Sequence, residues 1–140
     1  MAKHKVFVSY DHDNDNRYKN LLLAWDANPD FEFEIDSVGP DVAIDSKDAG
    51  RVKAALTAKM KSATHLLVLV GSETADSKWV DWEIDRATDS DVKLRLAAVK
   101  LARDNTSPDG LIGMGTSWAT SFERDRIIDA LNAAKNSYSK

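Results

Sequence analysis

The sequence predicts an α/β domain of flavodoxin-like type: a parallel sheet of four to five strands in the order 2-1-3-4-5, with helices on both faces. Three observations carry this. Short runs rich in β-branched and aromatic residues alternate with segments whose apolar residues recur at helical spacing. One run, His65-Leu-Leu-Val-Leu-Val-Gly71, is apolar without a break, as suits a central strand covered on both faces. Strand and helix in alternation imply right-handed crossovers, which lay helices on either side of a parallel sheet.

In order, Lys5-Val-Phe-Val-Ser-Tyr10 is the first strand, and an Asp/Asn-rich turn leads from it into a helix. Tyr18, Leu21, Leu22 and Trp25 mark that helix until Asn28-Pro29 ends it. Phe31 to Asp36 alternates apolar and acidic residues, the pattern of a strand with one wet face near a sheet edge. After a loop with Gly39-Pro40, a second helix begins at about Ser46, with Val52, Leu56, Met60 and Ala63 inward, and leads into the central strand. Ser77 is the expected N-cap of a third helix. Val92 to Leu101 is read as the fourth strand, and a fifth is expected between Leu111 and Trp118, after a loop rich in Asn, Ser, Pro and Gly. Thr120-x-x-Glu123 reads as a capping box for a last helix with Ile127, Ile128, Leu131 and Ala134 inward.

With 140 residues and no internal repeat or linker, the chain is read as a single domain over residues 1–140, burying about 68% of its unfolded surface. Cysteine is absent, which rules out disulfides, thiol nucleophiles and cysteine-ligated zinc and suits a reducing compartment. No apolar stretch approaches the ~20 residues of a membrane span, and none resembles the core of a signal peptide, so a cytoplasmic protein with no membrane partner is expected. The net charge of −4, with lysines and arginines scattered, argues against nucleic acid as a partner.

Open sheets of this order bind ligands at the carboxyl ends of the strands, in the crevice between strands 1 and 3. Ser9, Tyr10 and Asp11 lie at one side of that crevice and Gly71, Ser72 and Glu73 at the other. The third helix, within Ser77 to Arg86, leaves the same rim. Its stripe of Val80, Ile84 and Ala87 faces the core, which at about 100° per residue puts Glu83 about 60° to one side, Trp79 about 100° to the same side and Trp82 nearly opposite. Glu83 is therefore expected at the border of the buried face, partly desolvated yet reachable, with Trp79 as its i+4 neighbour. The plain alternative is a surface glutamate paired with Arg86 at i+3. Trp82 is expected to face away from the core, as a partner or self-association surface.

Lys5 to Asp15, KVFVSYDHDND, together with the Tyr18 to Trp25 helix and SKWVDWEI, resembles the TIR-like domains of the bacterial antiphage Thoeris type. In the wider TIR superfamily the corresponding helix carries a tryptophan followed four residues later by a glutamate, matched here by Trp79 and Glu83. The resemblance spans roughly residues 4–90. It implies a fold that binds NAD as substrate rather than cofactor and, in active members, breaks the nicotinamide–ribose bond with the glutamate as the catalytic group. The product implied is a signalling nucleotide derived from ADP-ribose, cyclic in form, that reaches an effector protein. The loop Ser37 to Asp45 lacks the Arg-Asp and Pro-Gly pattern of animal and plant TIR domains, which argues against receptor-type stacks. The alternative is a non-catalytic TIR-like adaptor or nucleotide-binding module.

For such a substrate, Trp79, Tyr10 and Phe7 are the candidates to stack on a ring, Asp36 to meet a ribose hydroxyl, and Ser9 and Ser46 to bind as weaker polar contacts. Other constellations fail. Asp11-x-Asp13-x-Asp15 begins like a calcium loop, but Asn16 stands where glycine is required and Leu22 where a bidentate glutamate is required, which leaves a solvated helix-start cluster or a magnesium site. A phospho-receiver needs an aspartate at the end of strand 3, where this chain has Gly71-Ser72. No glycine-rich phosphate loop follows a strand. His65 opens strand 3 at the end remote from the crevice.

Overall fold

The computed structural model describes residues 4–11, 14–28, 31, 33–36 and 42–138. Five parallel strands form one sheet in the order β2-β1-β3-β4-β5: β1 (His4–Ser9), β2 (Phe33–Asp36), β3 (His65–Val70), β4 (Arg95–Lys100) and β5 (Ser117–Ala119). The helices are α1 (Asn16–Asp26), α2 (Ala49–Lys61), α3 (Lys78–Ala87) and α4 (Arg124–Ala133). This is the α/β flavodoxin-like architecture and strand order expected from the sequence, and the fifth strand is present, though it is short and runs one residue past the expected Leu111 to Trp118 span.

Strand alternation splits the core in two. Val6, Val8, Leu67, Leu69, Ala97 and Val99 pack with α1 and α4 on one face. Phe7, Leu66, Val68, Val70, Leu96 and Ala98 pack with α2 and α3 on the other. All six residues of β3 are buried, which explains its unbroken apolar run. β2 lies at the edge, and its exposed Glu34 stands between buried Phe33 and Ile35.

Three local expectations are corrected. β4 begins at Arg95 rather than Val92, because Asp89 O accepts from both Val92 N and Lys93 N and Lys93 turns to a φ of 50°, so the chain is still turning there. The capping box before α4 does not form: Glu123 is itself the N-cap residue, its carboxylate pairs with Ser121 and Arg126, and Thr120 accepts from Arg126. α2 starts at Ala49, after turns at Ala43 and Ser46, and ends before Ala63. The N-cap of α3 is Ser77 as expected, accepting from Val80 N at 3.2 Å.

Residues 101–116 join β4 to β5 with only a 3-10 turn at Asp109–Leu111, whose Leu111 and nearby Met114 plug the α2/α3 side of the core. Among the described residues, no helix is long and apolar enough to cross a membrane.

Candidate functional site

The parallel register aligns Ser9, the last residue of β1, with Val68 of β3, and so sets it at the carboxyl rim between strands 1 and 3. α3 leaves that rim after the 3-10 turn at Thr74–Asp76. Val80, Ile84 and Ala87 bury its inner stripe, as the spacing predicts. Glu83 is brought against the strand, where Ser9 Oγ donates to Glu83 Oε1 at 2.9 Å. The pair joins two sequence-predicted site residues from elements 74 positions apart.

Glu83 is buried more deeply than its helical phase suggested, with 2% of its surface exposed, and Ser9 is wholly enclosed. Burial raises the Glu83 carboxyl from 4.5 to about 8, against the smaller lowering effect of the Ser9 hydroxyl. The acid is therefore mostly protonated at neutral pH. Next to it, Tyr10 is raised to about 12, first by its own burial and then by the charge Glu83 acquires on ionising. The surface-pair reading is excluded. Arg86 turns away to Asp89 at 2.9 Å and to both oxygens of Asp91 at 2.8 and 2.9 Å, fastening the end of α3 to the following turn.

The other candidates fall into different settings. Phe7 is fully buried in the α2/α3 side of the core and presents no face for stacking, while Tyr10 lies in the opposite core layer at 4% exposure. Trp79 is half-buried, and its Nε1 donates to Val42 O at 2.8 Å, tying α3 to the segment before α2. Asp36, half-buried at the end of β2, lies 3.9 Å from Lys59 Nζ. Ser46 sits in the turn before α2 with its Oγ buried and without a hydrogen-bond partner among the described residues. Glu83 does not line the open cavity of about 710 Å³ at the ends of β4 and β5.

Trp82 does not face away from the core as its helical position suggested. It is half-buried on the α2/α3 side, edge-on to Trp79 at 5.8 Å between ring centres, with Lys53 Nζ 5.8 Å from its own centre. The packing of α2 beside α3 closes over that side of the helix, which a single helical wheel cannot anticipate. The acidic turn is corrected as well. Asp15 is 5% exposed and accepts from Thr74 Oγ1 at 3.4 Å, so its carboxylate points inward; His12 and Asp13 lie outside the described residues. Among the described residues no cluster of His, Asp or Glu could hold a metal ion. His65 is at the far end of the sheet, as expected, with Nε2 against Leu131 O at 3.0 Å.

Sequence reasoning missed the partner of Asp15. Gly71 ends β3 where an added Cβ would come within 2.6 Å of Asp15 Cγ, so the missing side chain makes room for the carboxyl. The signal was a glycine at the end of an otherwise bulky strand.

No curated protein matches the chain. The family model described as Thoeris protein ThsB, TIR-like domain, matches residues 7–106, from β1 through β4 and including Ser9, Trp79 and Glu83. Strand order, the placement of the tryptophan–glutamate helix and this match over most of the sequence agree: the chain belongs to the TIR-like domain family of the Thoeris protein ThsB.

Proposed function

We propose that the chain is an NAD-cleaving TIR-like enzyme of antiphage defence, releasing nicotinamide and forming an ADP-ribose-derived, cyclised signalling nucleotide that acts on an effector protein. The observation that carries the reading is Glu83: a desolvated carboxyl at the carboxyl rim of the sheet, held by Ser9 and without a cationic partner among the described residues.

In the reaction, the bond between the ribose carbon and the ring nitrogen breaks, and its electron pair goes to nicotinamide, which leaves neutral. The positive charge passes to the ribose as an oxocarbenium-like centre. Capture by water, with loss of a proton, gives ADP-ribose, and capture by a nucleophile of the same molecule gives a cycle. Ionised Glu83 stabilises the developing charge or holds the ribose hydroxyls. The cationic substrate supplies the opposite charge that the buried carboxyl lacks, so its arrival favours ionisation. Ser9 holds this carboxyl, and Tyr10, the next residue along the chain, is close enough to feel its charge. Trp79 and Asp36, both half-buried, serve in this reading as a ring contact and a polar contact, with Ser46 as a second polar contact, whereas Phe7 is fully buried and would reach a ring only if the core above it opened.

Incubation with NAD, with free nicotinamide followed by chromatography, tests the proposal. Glu83→Gln is expected to lower the rate by about 10²–10³-fold while the fold persists. A second reading, a non-catalytic adaptor or nucleotide-binding module, is favoured by the near-complete enclosure of Glu83. Turnover lost in Glu83→Gln supports the enzyme; absence of turnover, even with infected-cell extract added, supports the module.

A further inference from the structure

The thin crossover between β4 and β5 leaves part of the sheet without a helical cover. Trp118 pairs in register with Ala98, which faces the α2/α3 side, so the indole emerges on that side and is 38% exposed. Ile112 in the crossover is 65% exposed. They bound an open cavity of about 710 Å³ at the carboxyl ends of β4 and β5. The crossover wall is seated against α3 through Gly110, where a Cβ would come within 2.8 Å of Ile84 Cγ2. It turns at Gly113 and Gly115, whose φ values of 76° and 71° suit residues without a side chain.

The charge lining this cavity opposes that of the chain. Lys100 at the end of β4 and Arg103 beyond it contribute to the wall, neither forms an ion pair among the described residues, and no carboxylate lines it. The whole sequence carries −4. An exposed indole and aliphatic side chain beside two uncompensated cations match a flat ring bearing an anion. The volume falls in the range of small-molecule sites, and two cations are too few for a nucleic-acid or membrane surface.

We propose that this cavity binds a nucleoside phosphate, its base lying on Trp118 and Ile112 and its phosphate held by Lys100 and Arg103. Its lining from Ser107 onward lies beyond the family match at residues 7–106, and Glu83 is no part of it, so the site stands whether or not the chain cleaves NAD.

The test uses the four tryptophans as reporters. In a nitrogen-15-labelled chain each indole N–H gives a separate resonance, assigned by its loss in the corresponding Trp→Phe variant. Titration with ADP is expected to move the Trp118 resonance saturably, with a dissociation constant below about 1 mM. Adenosine and inorganic phosphate are each expected to act more weakly. The double variant Lys100→Gln with Arg103→Gln is expected to weaken the response about tenfold or more, with the Trp25, Trp79 and Trp82 resonances reporting an intact fold. Movement of Trp79 or Trp82 without Trp118, equal response to inorganic phosphate, an unaltered response in the double variant, or no movement at millimolar ADP would each overturn the proposal.

Discussion

Ser9 and Glu83 form a buried hydroxyl–carboxyl pair, 2.9 Å between oxygens, that fixes α3 to the end of β1. The pairing has an electrostatic consequence. A single neutral donor lowers the cost of ionising the carboxyl but does not cancel its burial, and Glu83 therefore stays raised, at about 8.

Stability is expected to fall with rising pH through this group. The unfolded chain releases the Glu83 proton above about 4.5, whereas the folded chain retains it until about 8. Between these values the unfolded state binds fewer protons, so the stabilisation present at acid pH is lost progressively as pH rises and levels off beyond about 8. The full change is up to about 5 kcal/mol at ~1.4 kcal/mol per pH unit. His65, lowered chiefly by burial, gives the opposite slope, so the informative quantity is the difference between the wild type and Glu83→Gln. Denaturant unfolding of both at pH 5 and pH 8 should show the variant with the shallower decline.

Removing the Ser9 hydroxyl should move the Glu83 titration further up. Ser9→Ala takes away the one interaction that favours the charged form and leaves the desolvation in place. Carbon-13 detection of the Glu83 carboxyl should show a midpoint above about 8, and an unchanged or lower midpoint would contradict the assignment of causes.

The sheet order, Ser77 as a cap and Glu83 as a residue needing explanation were all legible, because each follows from periodicity or from short-range chemistry. The depth at which Glu83 lies was not. Helical phase reports the angle to the helix's own stripe, while exposure depends on β1 and on α2, which are distant in sequence. The side to which Trp82 turns was hidden for the same reason, and so was the depth of Phe7, because alternation along β1 says that residues 7 and 9 share a face without saying how far the helices reach over it. The exposure of Trp118 has no signal in the sequence, where it marks only the limit of the expected fifth strand, since it results from the lack of a helix in the crossover.

Gly71→Ala is expected to destabilise the fold by about 1–3 kcal/mol, the usual range for overpacking, because the new methyl group meets the Asp15 carboxyl. Asp15 also shares Thr74 Oγ1, which accepts from Gly71 N at 2.8 Å, so displacement of Asp15 disturbs the end of β3 as well. Pairing the change with Asp15→Ala should recover part of the loss. Thermal unfolding of the two single variants and the double variant gives the coupling, and additive effects would show that the carboxyl is not the obstruction.

Trp79 and Trp82 offer a contrast within one helix. They lie edge-on at 5.8 Å and are both half-buried, but Trp79 alone donates its Nε1 hydrogen to a described backbone carbonyl, that of Val42. Trp→Phe removes similar apolar area at either position and preserves an aromatic ring. The difference between the two variants therefore isolates the hydrogen bond and the carbonyl left without its donor, about 1 kcal/mol in favour of Trp82→Phe. Urea unfolding should place Trp79→Phe at the lower midpoint with an unchanged slope. Equal midpoints would mean that the Val42 carbonyl finds another partner and that Trp79 does not anchor the segment before α2.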